Sequence, residues 1–230
     1  MRLVALALPL CLTLSACGNP EPQPEPTPTP TVAQPRTLVA ADLDLAALGA
    51  KIVGPQGSEV ETQLASTTGQ LGSMTSYVAC PEGTSECNPA TMPAGTLYTY
   101  VHSVTLTDEA GAVRNQPTDG PAATEAPPTL FRTTRPISGF DGAIGYRRAE
   151  AESALGASDA ISVSVEAGRL TWRVTKGEWK PGATITFWWR STVPPQGPAD
   201  AYLFEIDGNQ VSATGPFPPL EKSGATRPAT

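Results

Sequence analysis

A single histidine, His102, stands in this 230-residue chain, and it limits what chemistry the side chains can assemble. Two imidazoles cannot converge on a metal, and any serine–histidine–acid triad has to be built on this one ring. Its surroundings give no such context. His102 sits in the run YTYVHSVTL at 98–106, where Tyr98, Tyr100, His102, Val104 and Leu106 share one face of a strand. The chain carries no GxSxG, HExxH, SxxK or glycine-rich phosphate loop. A histidine so placed reads as a hydrogen-bonded packing residue, and neither a catalytic residue nor a metal or cofactor site is expected. A hydrolase stays as the remote alternative. It would need two of Glu59, Glu61, Asp141, Glu150 and Glu152 brought to about 5–9.5 Å in a cleft, which nothing in their spacing requires.

Residue types suited to binding are easier to find. Trp188 and Trp189 are neighbours in ATITFWWR at 183–190, so on a strand they point to opposite faces. Trp189 shares its side with Ala183, Ile185 and Phe187 and is expected in the core. Trp188 follows Thr184 and Thr186, with Arg190 beyond, on a face that reads as polar. An exposed indole beside Arg190 would stack on a sugar ring or on a partner's aromatic group. If the loop at 194–198 or another part of the domain covers Trp188, the residue is structural instead.

The compartment comes from the other end of the chain. Met1-Arg2 supplies positive charge, residues 3–14 form a twelve-residue apolar run, and Leu14-Ser15-Ala16-Cys17 follows. This stretch resembles the lipobox of bacterial lipoproteins: an aliphatic residue three before a cysteine, then two small residues, then the cysteine. The apolar run is too short to span a bilayer, which takes about 20 residues. Cys11 competes poorly as the modified residue, because Pro9 and Leu10 precede it where small side chains are needed. The resemblance implies removal of residues 1–16, lipidation of Cys17, and anchoring in the cell envelope. In a Gram-negative host Gly18, rather than Asp, after the cysteine implies the outer membrane. Two or three acyl chains make such attachment effectively permanent.

That setting decides the reading of the remaining thiols. Cys80 and Cys87 bracket CPEGTSEC, and outside the reducing cytoplasm this spacing predicts a local disulfide. Loss of Arg2 with the leader takes the formal charge from -7 to -8. An acidic chain lacks the basic stripe that a phosphate backbone needs, so nucleic acid is not an expected partner. Between residues 37 and 131 ten acids face only Lys51 and Arg114, whereas nine bases balance nine acids from 132 to 218. Arg132, Arg135, Arg147 and Arg148 could present a patch to anionic headgroups or polysaccharide, or lie along a solvated rim with local ion pairs.

The elements that must hold these residues are strands. Residues 17–36 alternate proline with Glu, Gln and Thr and form a tether, able to extend to roughly 60 Å as polyproline II. The folded domain is expected over 37–218, with a polar tail at 219–230. Short strands are read in GSEVETQL and MTSYVAC before the run at 98–106. Residues 108–129 are rich in Pro, Gly and acids, and read as a long loop or an internal boundary. Either one large sandwich carries an insertion there, or two sandwiches of about 70 and 90 residues pack together; the first is preferred because the earlier portion alone has a thin core.

Residues 161–166 and 169–174 flank Ala167-Gly168 as a hairpin. Pairing 166 with 169 puts Val165 opposite Leu170, Val163 opposite Trp172 and Ile161 opposite Val174, all on one face. A slip of one residue would destroy that agreement. Lys180-Pro181-Gly182 resembles a strand-entry turn of immunoglobulin-like and fibronectin-type domains, and Asp207-Gly208 suggests another hairpin. The stretch YRRAEAESAL suits either a short helix or, through Ile144, Tyr146 and Arg148, an edge strand. The predicted fold is mostly β: a two-sheet sandwich, immunoglobulin-like or related, with at most one short helix. Its expected role is that of a lipid-anchored binding or envelope-scaffold module for an envelope protein or polysaccharide, with a glycan-binding module on Trp188 as the alternative.

Overall fold

In a computed structural model of the protein the described residues are 34–54, 57, 59–67, 69–108 and 129–220. The expected leader, Cys17, most of the expected tether, residues 109–128 and the expected tail from 221 lie outside them. Twelve strands are described: β1 (Arg36–Leu38), β2 (Leu48–Lys51), β3 (Val60–Ser66), β4 (Gly69–Pro81), β5 (Tyr98–Leu106), β6 (Leu130–Thr133), β7 (Phe140–Tyr146), β8 (Ile161–Glu166), β9 (Arg169–Val174), β10 (Thr184–Ser191), β11 (Gly197–Ile206) and β12 (Asn209–Phe217). One helix, α1 (Arg148–Leu155), and a 3-10 turn at Leu45–Ala47 complete the set.

The strands form two antiparallel sheets. The first runs β1-β8-β9-β6-β11-β12; the second runs β2-β4-β5-β10-β7, with β3 paired to β4. In the second sheet β4 and β5 precede the 109–128 segment, whereas β7 and β10 follow it. One sandwich is therefore built from both portions of the chain. The sheets meet at a corner where the Thr62 hydroxyl donates to the Thr214 carbonyl at 2.8 Å.

The hairpin of β8 and β9 has the register read from its pattern, Val165↔Leu170, Val163↔Trp172 and Ile161↔Val174. Ala167 and Gly168 take φ of 47° and 75°, the pair of left-handed conformations that a type I′ turn requires. Asp207 and Gly208 do the same between β11 and β12. At Lys180-Pro181-Gly182 the Ala183 amide closes on the Lys180 carbonyl at 3.2 Å, with Gly182 at φ +75°. That is a type II turn feeding β10.

The helix reading of YRRAEAESAL holds, and the strand reading holds only as far as Tyr146, since Arg148 belongs to the helix. β7 continues through Ile144 to Tyr146, and α1 starts at Arg148. The helix buries Ala151, Ala154 and Leu155 and stops at Gly156 (φ 85°), whose amide bonds the Glu152 carbonyl. Its start has no cap from Arg147; instead the Asp42 carboxylate accepts the Arg148 amide at 2.9 Å.

Inward-facing side chains fill the space between the sheets with aromatic rings. Phe131 stacks on Phe187 and on Tyr202, with centroids 5.0 and 5.7 Å away, and Trp189 stacks on Tyr100 at 4.1 Å. Tyr100 and Tyr202 satisfy their hydroxyls on the Val193 and Pro216 carbonyls. Burial pushes both phenols well above the usual tyrosine range, so they stay neutral donors.

Candidate functional site

Outside this core, on the opposite face of the second sheet, lies a smaller apolar cluster of Leu43, Val101 and Trp188, with Leu48, Tyr77 and Ala143 against it. Strand pairing explains the cluster. Trp188 is opposite Val101 in one neighbour and opposite Gly145 in the other, and Val101 is opposite Tyr77. The chain that covers them comes from the beginning of the domain. After β1 in the first sheet it reaches β7, where Ala41 and Gly145 form a parallel bridge. Gly145 is needed there: a Cβ would stand 1.8 Å from the Ala41 carbonyl oxygen. Leu43 then lies over Trp188, leaving the indole 6% exposed.

Trp188 is thus not the exposed platform that its threonine neighbours suggested. Those threonines are not a ligand surface either. Thr186 bonds Ser103 and Thr184 bonds Thr105, hydroxyl to hydroxyl, at 2.8 and 2.7 Å. Trp189 lies on the core side with no exposed surface, as its partners in the alternation required.

Beside the covered indole is a groove of about 590 Å3. Its apolar wall comes from Leu43, Leu48, Leu97 and Trp188, and Thr99 and Arg190 also line it. Asp42, Asp44 and Glu82 line it as exposed residues. None of these three carboxylates is in an ion pair among the described residues. Asp42 accepts the Leu43 and Arg148 amides, and Asp44 accepts the Ala46 amide and caps the 3-10 turn. Arg190 is spoken for: its Nε and Nη2 reach Asp141 Oδ2 at 2.7 and 2.6 Å. The groove therefore combines an apolar wall with net negative charge. The Trp188 indole N–H is buried and has no acceptor among the described residues. A buried donor left unpaired costs about 1–3 kcal/mol.

Cys80 and Cys87 stand at disulfide distance, with Cα atoms 5.7 Å apart, and Cys80 lines the groove. A crosslink between them would fix the turn carrying Glu82 to the end of β4.

His102 has no access to a substrate. It is fully buried, its Nδ1 is 2.9 Å from the Ser76 hydroxyl, and the Trp189 indole donates to its Nε2 at 3.3 Å. With Nε2 accepting, Nδ1 carries the proton and donates to Ser76. Ser76 is itself completely buried, and the group behind the ring is an indole rather than a carboxylate. Burial lowers the His102 pKa to about 3.

The remaining sequence candidates are spread out. Glu59 pairs with Lys51 and Glu61 with Gln63; Glu150 pairs with Arg147 at 2.6 Å and accepts the Thr186 amide. Glu152 is exposed on α1. The four arginines do not make one patch. Arg132 lies with Glu166 and Arg169 at a small recess on the first sheet, and Arg135 covers Phe217. Arg147 pairs with Glu150, while Arg148 donates to the Ala40 carbonyl.

Sequence reasoning missed the segment at 41–48. Its signal was DLDLAAL, apolar residues between acids too short for any regular element to claim. Comparison with known protein families, curated proteins and solved structures finds no match to this chain.

Proposed function

We propose that the protein is a lipid-anchored binding module of the cell envelope, whose ligand enters the groove beside Trp188. The lipobox-like start supports the anchor, and the proline-rich tether supports display of the domain away from the membrane surface. The single observation that carries the site is an apolar groove of about 590 Å3 walled by an indole whose N–H lacks an acceptor among the described residues. That volume lies within the roughly 300–1,000 Å3 usual for ligand pockets, which pair apolar walls with a few orienting polar groups. Binding is favoured over catalysis because the histidine is sealed in the core and Asp141 and Glu150 are engaged by arginines. The glycan reading loses its main support, since Leu43 covers the ring face on which a sugar would stack.

The test compares the wild-type domain with Ala47→Trp on an array of envelope-derived peptides and oligosaccharides. Ala47 is exposed and lines the groove, so a larger side chain there fills the site without touching the core. At least one ligand held by the wild type and lost by the variant is the expected result. Equal capture of every ligand by both proteins would overturn the assignment.

A further inference from the structure

Resting on that reading of the groove, we infer that its ligand is a polypeptide segment carrying a basic side chain next to an aliphatic one, and that residues 43–47 lift to admit it. Charge complementarity commits the occupant. Asp42, Asp44 and Glu82 line the groove without cationic partners among the described residues, while the charge of Arg190 is answered by Asp141. An anionic or strongly acidic ligand meets repulsion at this rim, whereas a lysine or arginine finds acceptors. The apolar wall asks for an aliphatic side chain beside that cation. The orphan indole asks for a carbonyl oxygen. A peptide backbone supplies one at every residue, and no other part of such a ligand has to be specialised to provide it.

The cover is built to move. On one side it is fastened where Ala41 exchanges backbone bonds with Ile144 and Tyr146 and where Asp42 holds the Arg148 amide. On the other it is fastened at β2, where Leu48 pairs with Pro81 and Ala50 bonds Thr84. Between these anchors every hydrogen bond among the described residues is local, from Leu43 to Asp42, from Ala46 and Ala47 to Asp44, and from Leu48 to Leu45. Leu43 is the one buried side chain in the segment, and Asp44, Leu45, Ala46 and Ala47 are exposed. Such a piece opens at little cost compared with the sheet beneath it. Lifting it exposes the Trp188 N–H to a ligand carbonyl, and the segment must close again over the ligand to restore its apolar contact, which Ala47→Trp would prevent.

Calorimetric titration with three blocked hexapeptides tests this: alternating leucine and lysine, leucine and glutamate, leucine and glutamine. The lysine peptide is expected to bind at least tenfold more tightly than either other peptide. Its affinity should fall severalfold between 0.05 and 0.5 M salt and at least tenfold in the double variant Asp44→Asn, Glu82→Gln. A competing outcome, equal or tighter binding of the glutamate or glutamine peptide, or binding of oligosaccharides alone, overturns the ligand class while leaving the groove standing if Ala47→Trp abolishes that binding. Lysine-peptide binding that survives Ala47→Trp overturns both the ligand class and the site. Circular dichroism of each variant confirms that loss of binding is not loss of fold.

Discussion

His102 holds a neutral ring between Ser76 and the Trp189 indole, and its protonation would set a buried charge against a donor already pointing at Nε2. Its folded pKa, about 3, is below the unfolded value of 6.5. Between these values the unfolded chain binds the extra proton, so stability is complete above pH 6.5 and falls as pH drops toward 3, by up to about 1.4 kcal/mol per unit. Denaturant unfolding at pH 7.0 and 5.5, a range in which ordinary carboxylates remain ionised, should show this loss. His102→Phe should flatten the slope, and a wild-type slope unchanged by that substitution would remove His102 as its source. The residue was legible from its tyrosine neighbours and the missing motifs. Trp188 was not, because the Leu43 that covers it comes from a distant part of the chain that alternation along β10 cannot report. Emptying a buried aromatic site costs about 3–5 kcal/mol. For Trp188→Ala the unpaired N–H leaves as well, which offsets about 1 kcal/mol or more. A loss near 3 kcal/mol in chemical denaturation is therefore expected, and a change below 1 kcal/mol would contradict the covered position.

At the scale of elements, the hairpins were legible because type I′ turn residues and apolar alternation agree on one register. The same cannot be said of the 41–48 segment, whose position depends on a parallel bridge to β7 and on a glycine there. Gly145→Ala should push the Ala41 backbone away, since its Cβ would meet that carbonyl oxygen at 1.8 Å. Trp188 would then be uncovered while the sandwich persists, because the bridge lies outside the ladder of β10 with β7. Acrylamide quenching of tryptophan emission should rise in this variant, with far-ultraviolet dichroism unchanged; unchanged quenching would show that Leu43 stays in place without the bridge. Hydrogen exchange gives a second reading of the same element. Amides of residues 43–47 should exchange orders of magnitude faster than those of β5 and β10, and slow on addition of the leucine–lysine peptide. Protection of 43–47 equal to that of the strands in the free protein would rule out a movable cover.

For the whole molecule, turn chemistry and period-two patterning were enough to read a mostly β two-sheet sandwich with at most one short helix. The pairing of strands from both sides of the 109–128 segment lay beyond them, since which strands become neighbours depends on packing between distant parts of the chain. The proposed setting is tested at three cysteines, Cys17, Cys80 and Cys87. Palmitate labelling is expected to mark the wild type and not Cys17→Ser, and equal labelling of both would reject the proposed lipid anchor. Peptide mapping without reductant should recover Cys80 and Cys87 as one linked pair. Closing a loop this short stabilises the fold by roughly 2.5 kcal/mol in the chain-entropy model, so reduction should lower the unfolding midpoint and loosen the end of the groove that Cys80 lines.

The central claim, that ligand meets Trp188 in the groove, has a direct spectroscopic reporter. Three of the four indoles donate to fixed acceptors: Trp172 to the Gly145 carbonyl at 2.8 Å, Trp179 to the Ala183 carbonyl at 3.1 Å, and Trp189 to His102. Among the described residues Trp188 is the one tryptophan whose N–H has no acceptor. In a proton–nitrogen correlation spectrum, with the Trp188 indole signal assigned by its disappearance in Trp188→Phe, that signal should move downfield as the leucine–lysine peptide is added, while the other three hold their positions. A Trp188 indole signal that stays fixed at saturating peptide would contradict the account.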